Sequence, residues 1–100
     1  MAKVFIDHLG IAVKSLAASK AFYQGLGLHV ESEEVVAHEK VRVAMLPLGE
    51  SRIELLEATS DDSPIARFIA KRGEGLHHIS LRVADLEATV ARMKKSGTRF

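Results

Sequence analysis

The sequence contains one strand–helix unit twice, and the two copies lie 70 residues apart. When the chain is aligned with itself at this shift, six pairs between positions 8 and 30 are identical: His8/His78, Val13/Val83, Leu16/Leu86, Ala18/Ala88, Ala21/Ala91 and Gly27/Gly97. A repeat of this kind indicates a duplicated supersecondary unit whose copies bury their apolar faces together. We therefore expect two related modules that pack as a pair.

Around the first copy, the spacing of apolar residues predicts four strands and one helix. Ser15 is a suitable N-cap, and Gly25 and Gly27 bracket the expected C-terminal end of the helix. The helix is predicted over 16–26, and the strands over 3–13, 28–37, 41–48 and 52–57. These elements predict a four-stranded antiparallel sheet with the helix on one face.

The second half of the chain begins with a short helix, in which Ser63 is the N-cap, Pro64 is the first helical residue and Gly73 ends the helix. A strand over 76–84, an N-cap at Asp85 and a helix over 86–95 follow. We predict a first β-α-β-β-β module at 1–58, a linker helix and loop at 59–75, and the start of a second module at 76–100. At the 70-residue shift, Phe100 aligns with Val30, so the second module is expected to be truncated after its first strand and helix.

Composition excludes several classes of function. The 14 Lys and Arg residues nearly balance the 13 Asp and Glu residues, which gives no electrostatic case for nucleic acid or an anionic membrane. Cysteine is absent, so neither disulfides nor thiolate metal sites are expected. The sequence has no apolar segment long enough to span a bilayer and no signal peptide at its start, which predicts a cytoplasmic protein.

Two histidines and one glutamate form a candidate metal site. His8 and His78 occupy the same place in the two copies, so a pseudo-twofold pairing would let both imidazoles converge on one ion. Glu54 lies between two apolar residues of a predicted strand, where a buried carboxylate needs a partner or a metal. The alternative is that both histidines are structural and that Glu54 faces solvent.

Other polar residues are interpreted more simply. His77 adjoins His78 on a strand, so alternation predicts that it faces the opposite side of the sheet in a supporting or structural role. Glu31, Glu33 and Glu34 are interpreted as a solvated strand edge.

Several segments resemble the methylmalonyl-CoA epimerase family within the vicinal-oxygen-chelate (glyoxalase/bleomycin-resistance/dioxygenase) superfamily. The first module shows the superfamily pattern in I-D-H-L-G-I-A-V and A-F-Y-Q-G-L-G-L. The more specific match is the later R-I-E-L-L-E with D-S-P-I-A-R-F-I-A-K-R-G-E-G-L-H-H-I-S-L-R-V. The resemblance covers essentially the whole chain and implies an α+β, glyoxalase-like fold, in which paired modules form a cupped sheet around a divalent ion.

The resemblance also implies a set of metal ligands. His8 and His78 match two ligands of the family, and Glu54 matches a Glu or Gln that binds the ion directly or through water. The family's fourth ligand is a Glu whose counterpart would lie beyond Phe100. The ion itself could be Co, Zn, Mn, Ni or Mg.

The implied reaction interconverts (R)- and (S)-methylmalonyl-CoA by proton abstraction at C2 and a metal-stabilised enolate. The family's first base corresponds here to His38 or Glu39, although this segment is equally interpreted as a charged hairpin turn. By the same resemblance, the family's second base, like its fourth ligand, would lie beyond Phe100, so this form is expected to bind metal poorly and to epimerise slowly or not at all.

Two other functions remain open: a glyoxalase-type lyase or another enzyme of the superfamily, and a non-catalytic ligand-binding protein. The expected partners are an acyl-CoA substrate and a second copy of the chain. A homodimer is predicted because a truncated second module would leave open strand edges and apolar surface.

Overall fold

The computed structural model describes residues 3–100 and consists of five strands, three α-helices and one 3₁₀ turn. Met1 and Ala2, which belong to the predicted first module, lie outside the described residues. The strands are β1 (Val4–Ala12), β2 (Ser32–Val36), β3 (Val41–Leu48), β4 (Ser51–Ala58) and β5 (Gly75–Val83). The helices are α1 (Leu16–Gly25), α2 (Pro64–Arg72) and α3 (Leu86–Lys95). The predicted α+β class is confirmed.

All five strands form one open sheet in the order β2-β3-β4-β1-β5. The neighbours pair antiparallel except for β1 and β4, which are parallel. The prediction of an entirely antiparallel sheet in the first module is therefore wrong. Helix α1 returns the chain so that β2 runs in the direction of β1, and two hairpin reversals then give β4 that same direction beside β1.

The helix ends follow from their capping residues. Ser15, Ser63 and Asp85 each accept a hydrogen bond from a backbone N–H in the first turn of the helix that follows. After α1, the N–H of Leu28 donates to Tyr23, and after α3 the N–H of Thr98 donates to Met93. The helices of the two copies therefore end in C-terminal turns of the same type, with Gly27 and Gly97 at positive φ.

The two faces of the sheet bury different sets of residues. Helix α1 covers one face, where its Leu16 packs with Leu46, Ile53 and Leu55. Helix α2 packs on the other face through Ile65, which contacts a cluster that includes Val43 and Leu56. Because α2 covers only part of this second face, the face keeps an open concave region beside it, which contains the candidate site. In the part of the chain that the structure describes, no helix is long and apolar enough to cross a membrane.

The connection between β2 and β3 is a 3₁₀ turn at Ala37–Glu39, followed by Lys40 in the left-handed conformation. This segment contains His38 and Glu39, the two predicted candidates for the catalytic base. Strand β2 begins at Ser32 and not at residue 28, so the predicted strand over 28–37 is too long at both ends.

Candidate metal centre

The structure brings together the three predicted metal ligands, although they come from three different strands. His8 lies on β1, Glu54 on β4 and His78 on β5, and ligand atoms of all three lie within 4.8 Å of one another. The two Nε2 atoms of the histidines are 3.2 Å apart. Oε1 of Glu54 lies 3.2 Å from Nε2 of His78 and 3.7 Å from Nε2 of His8.

The strand register explains why these side chains meet. On β1, Gly10 stands opposite Glu54 on one side and opposite His78 on the other. His8 is two residues from Gly10 and therefore points to the same face. Gly10 itself contributes no side chain, and the ring of His78 occupies the space that a side chain there would need. No local sequence signal predicts this role of Gly10, because it depends on His78, which is distant in the chain.

The donor separations suit one ion. Imidazole nitrogens bind zinc at about 2.0–2.1 Å, so two of them in tetrahedral positions are roughly 3.3 Å apart. The measured separations of 3.2, 3.2 and 3.7 Å are close to this value. Two imidazoles and a carboxylate are a donor set that accepts several divalent metals. The residues present therefore fit the ion that the resemblance implies, and three protein donors would leave open coordination positions.

Each candidate histidine ligand has a second contact through its other ring nitrogen. Nδ1 of His8 lies 2.8 Å from Oδ2 of Asp7. Nδ1 of His78 lies 2.9 Å from Nδ1 of His77. The hydrogen bond from the His8 ring, together with the positive charges of Arg82 and Arg52, holds the pKa of Asp7 below its usual value.

The contact between His77 and His78 contradicts the prediction that they face opposite sides of the sheet. The pairing of β1 with β5 shifts register between Gly10 and Ile11, which stand opposite His78 and Leu76. His77 is the extra residue of a β-bulge, and a bulge interrupts the alternation of side chains. Both histidines therefore line the same cavity.

This cavity has a volume of about 330 Å³ and lies beside the three donors. Its wall is largely apolar, with Val41, Val43, Met45 and Leu56 from the sheet and Ile65 from α2. Glu54, His77 and His78 line one region of it. A cavity of this size and composition suits a small organic group with a few polar atoms.

The two candidates for the base differ in their positions. Of the described residues, those that line the cavity include Glu39 but not His38. Glu34 is exposed on the edge strand β2, as expected, but it also lines the cavity, a position that a solvated strand edge does not predict. The other two glutamates of this group lie in exposed ion pairs, Glu31 with Arg52 and Glu33 with Lys20.

The sequence pattern of the Glyoxalase/Bleomycin resistance protein/Dioxygenase superfamily matches residues 7–100. The chain belongs to this superfamily. The match includes all three candidate ligands and both copies of the strand–helix unit.

Several known proteins are similar to this chain over most of its length. Human mitochondrial methylmalonyl-CoA epimerase is 36% identical over 96 residues, which cover 94% of this chain and 54% of that protein. The hypothetical protein BH1468 from Bacillus halodurans superposes with a TM-score of 0.85 at 45% identity, covering 95% of this chain and 70% of that one. A variant of Streptomyces coelicolor methylmalonyl-CoA epimerase in complex with 2-nitronate-propionyl-CoA gives a TM-score of 0.80 at 40% identity, covering 94% and 70%. The chain spans about half the length of the curated relatives it matches first.

Proposed function

We propose that this chain acts on methylmalonyl-CoA as a metal-dependent epimerase, with His8, Glu54 and His78 as the ligands of a divalent ion. One observation carries the proposal: a His-Glu-His cluster with separations that suit one ion lies beside a largely apolar cavity, which its Glu54 and His78 line. The similarity to methylmalonyl-CoA epimerases, one of them in complex with a CoA ester, supports the choice of substrate.

The proposed reaction requires the site to stabilise negative charge on the substrate. The hydrogen on C2 of methylmalonyl-CoA lies between a thioester and a carboxylate and is only weakly acidic, so its removal requires stabilisation of the negative charge that develops. When bound, a divalent ion supplies a Lewis acid for that purpose. The two histidines and Glu54 would hold the ion, and the largely apolar wall of the cavity lies beside them.

The protein must also supply a base. Glu39 is the better of the two predicted candidates, because Glu39 lines the cavity and its neighbour His38 does not. Glu34 lines the same cavity from the edge strand β2. We assign Glu39 as the base, and Glu39→Gln should remove proton transfer while leaving metal affinity intact.

The cavity defines which part of the substrate is enclosed. Its volume of about 330 Å³ lies near the lower end of the range for ligand pockets. It accommodates the acyl end of the substrate, whereas the nucleotide of CoA would lie outside. Specificity is therefore expected to depend on the acyl group and less on the adenine end.

The experiment measures deuterium incorporation at C2 of methylmalonyl-CoA in D₂O, together with calorimetric titration of Zn²⁺ and Co²⁺, on the native chain, His8→Ala and Glu39→Gln. Exchange that requires the metal and is lost in both variants supports the proposal. Because the second module is expected to be truncated, both assays are repeated on a chain extended by three further strands. Metal binding without exchange in that extended chain would contradict the epimerase and favour a ligand-binding protein of the same superfamily. Unchanged metal affinity in His8→Ala would contradict the ligand assignment.

We also propose that the chain forms a homodimer. Strand β5 is an edge of the described sheet, and Leu76, Ile79 and Leu81 on it are each more than half exposed. An apolar edge strand of this kind favours pairing with a second chain. Sedimentation velocity should show a dimer at micromolar concentration, and Leu81→Lys should shift it towards the monomer. A stable monomer in the native chain would contradict this assignment.

A further inference from the structure

The pairing of β1 with β5 contains two bulges, and the internal repeat relates one to the other. One register shift lies between Ile6 and His8, where Asp7 is the extra residue on β1. The other makes His77 the extra residue on β5. Asp7 and His77 correspond under the 70-residue shift, and the pair Leu9↔Ile79, which also corresponds, lies between the two bulges. The pseudo-twofold axis of the repeat therefore passes through this pair.

Each bulge places a polar residue beside a candidate metal ligand. Without a bulge, Asp7 would face away from His8 and His77 away from His78. With it, each contacts Nδ1 of its neighbour, at 2.8 Å for the carboxylate of Asp7 and at 2.9 Å for the ring of His77. Both Nε2 atoms remain free to face each other and Glu54.

The two contacts differ in their chemistry. A carboxylate only accepts, so Asp7 fixes the proton of His8 on Nδ1 and leaves the Nε2 lone pair for an ion. An imidazole can either accept or donate. A 2.9 Å contact between two Nδ1 atoms needs one proton. If His78 donates it, the Nε2 of His78 carries a lone pair; if His77 donates it, the Nε2 of His78 carries a hydrogen and cannot bind metal.

We propose that His77 is a positioning residue, which accepts the Nδ1 hydrogen of His78 and so fixes His78 in the tautomer that binds metal through Nε2. The proposal rests on the metal site described above and assigns no direct contact between His77 and the ion. Nδ1–H donation to an acceptor fixes both the tautomer and the orientation of a ligating imidazole.

Helix α2 holds His77 in this position. The ring of Phe68 on α2 packs edge-to-face against His77, with centroids 4.9 Å apart and planes at 76°. Phe68 is itself partly buried against the cluster around Ile65 and Leu56. A series of side-chain contacts, from Phe68 to His77 and from His77 to His78, therefore connects helix α2 to the candidate metal centre. This gives a structural role to the Phe of the D-S-P-I-A-R-F segment, the segment by which the sequence resembles the epimerases most specifically.

The test compares His77→Phe, which keeps a ring against Phe68 but removes the acceptor, with His77→Gln, which keeps an acceptor on a flexible side chain. Zn²⁺ affinity is measured by calorimetry, and the tautomer of His78 by ¹⁵N chemical shifts of its ring with and without Zn²⁺. His77→Phe should weaken Zn²⁺ binding by about 10- to 100-fold, the range for loss of a group that supports a ligand. His77→Gln should recover most of that loss.

Three controls separate the possible outcomes. His29→Phe, at an exposed histidine outside the cavity lining, should leave Zn²⁺ affinity unchanged. Denaturant unfolding without metal should give similar stabilities for native protein and both His77 variants. His8→Ala should weaken binding more than His77→Phe does. If His8→Ala weakens binding while His77→Phe leaves affinity and the His78 tautomer unchanged, the positioning role is wrong and the metal site stands. If neither His8→Ala nor His77→Phe changes the Zn²⁺ affinity, the metal site itself is wrong.

Discussion

The ring of His78 lies so close to Gly10 that a Cβ at residue 10 would stand 2.2 Å from Cε1 of that ring. Real Cβ atoms do not approach other atoms so closely, so any side chain at residue 10 must displace the imidazole. Gly10 is also opposite Glu54 on β4. The absence of a side chain at the centre of the site is therefore as important to its geometry as the donors themselves.

Gly10→Ala should weaken Zn²⁺ binding by roughly 10-fold to 100-fold, comparable to the loss of a group that orients a ligand. The displaced ring should also cost about 1–3 kcal/mol of stability, the usual effect of overpacking. Calorimetry and urea unfolding measure the two effects. Gly25→Ala is the matched control, since a Cβ at residue 25 meets nothing within 4 Å. Equal Zn²⁺ affinities for Gly10→Ala and native protein would show that His78 does not bind in this orientation.

Leu46→Ala should lower the free energy of unfolding by about 2–5 kcal/mol, because the side chain is fully buried between the sheet and α1 and its removal leaves a cavity. Leu48→Ala on the same strand is the control, since Leu48 is 42% exposed, and it should change stability by no more than about 0.5 kcal/mol. Chemical denaturation of both variants measures the difference. Similar losses in the two variants would contradict the burial of Leu46.

Glu57→Ala should destabilise the docking of α1 on the sheet. Oε2 of Glu57 accepts a hydrogen bond from the N–H of Leu16, the first residue of α1, at 2.8 Å, and Oε1 accepts one from Arg42 at 2.9 Å. The side chain is about four-fifths buried, so we expect a loss of about 1–3 kcal/mol. Glu57→Gln keeps an acceptor for Leu16 and should recover part of it. Thermal unfolding of the two variants measures these losses of stability. If Glu57→Ala were as stable as native protein, the proposed contribution of the Glu57 hydrogen bonds would be wrong.

Asp62 should make stability depend on acid pH. Hydrogen bonds from Lys40 and Ser60 lower the pKa of Asp62 from 3.8 to about 2. A group with a lowered folded-state pKa stabilises the protein above its unfolded pKa, and this contribution is lost as pH falls through the folded value. The stability difference between native protein and Asp62→Asn should therefore be constant above about pH 5 and shrink between pH 4 and pH 2. Asp61→Asn, at the neighbouring exposed carboxylate, is the control, and a pH-independent difference for Asp62→Asn would contradict the assignment.

The sequence predicted most of the local structure correctly because local signals determine it. Ser15, Ser63 and Asp85 are the N-caps that their positions indicated, and Gly73 ends the linker helix. The repeat also predicted correctly that His8 and His78 approach each other. That inference needed only the equivalence of two positions in paired copies, without knowledge of the strand order.

The remaining features depend on backbone geometry that the sequence does not display. Alternation predicted that His77 faces away from His78, and the bulge on β5 makes that prediction wrong. No sequence pattern marks the role of Gly10, because that role depends on a strand that is distant in the chain. The parallel pairing of β1 with β4 was missed for a related reason: it depends on the path of the intervening chain, which residue patterns within each strand do not specify.

The position of β1 between β4 and β5 has a consequence for folding kinetics. His8 and His78 are 70 residues apart in the chain, so the site requires two strand pairings of long sequence separation, which are slow because the loop entropy is lost before the contacts form. The β2–β3–β4 hairpins are local and can form earlier. A nascent chain therefore cannot assemble the three donors until β5 has been synthesised and has paired with β1. In stopped-flow refolding, uptake of Zn²⁺ should follow the main gain of secondary structure, and metal would then be captured only by chains that are already folded.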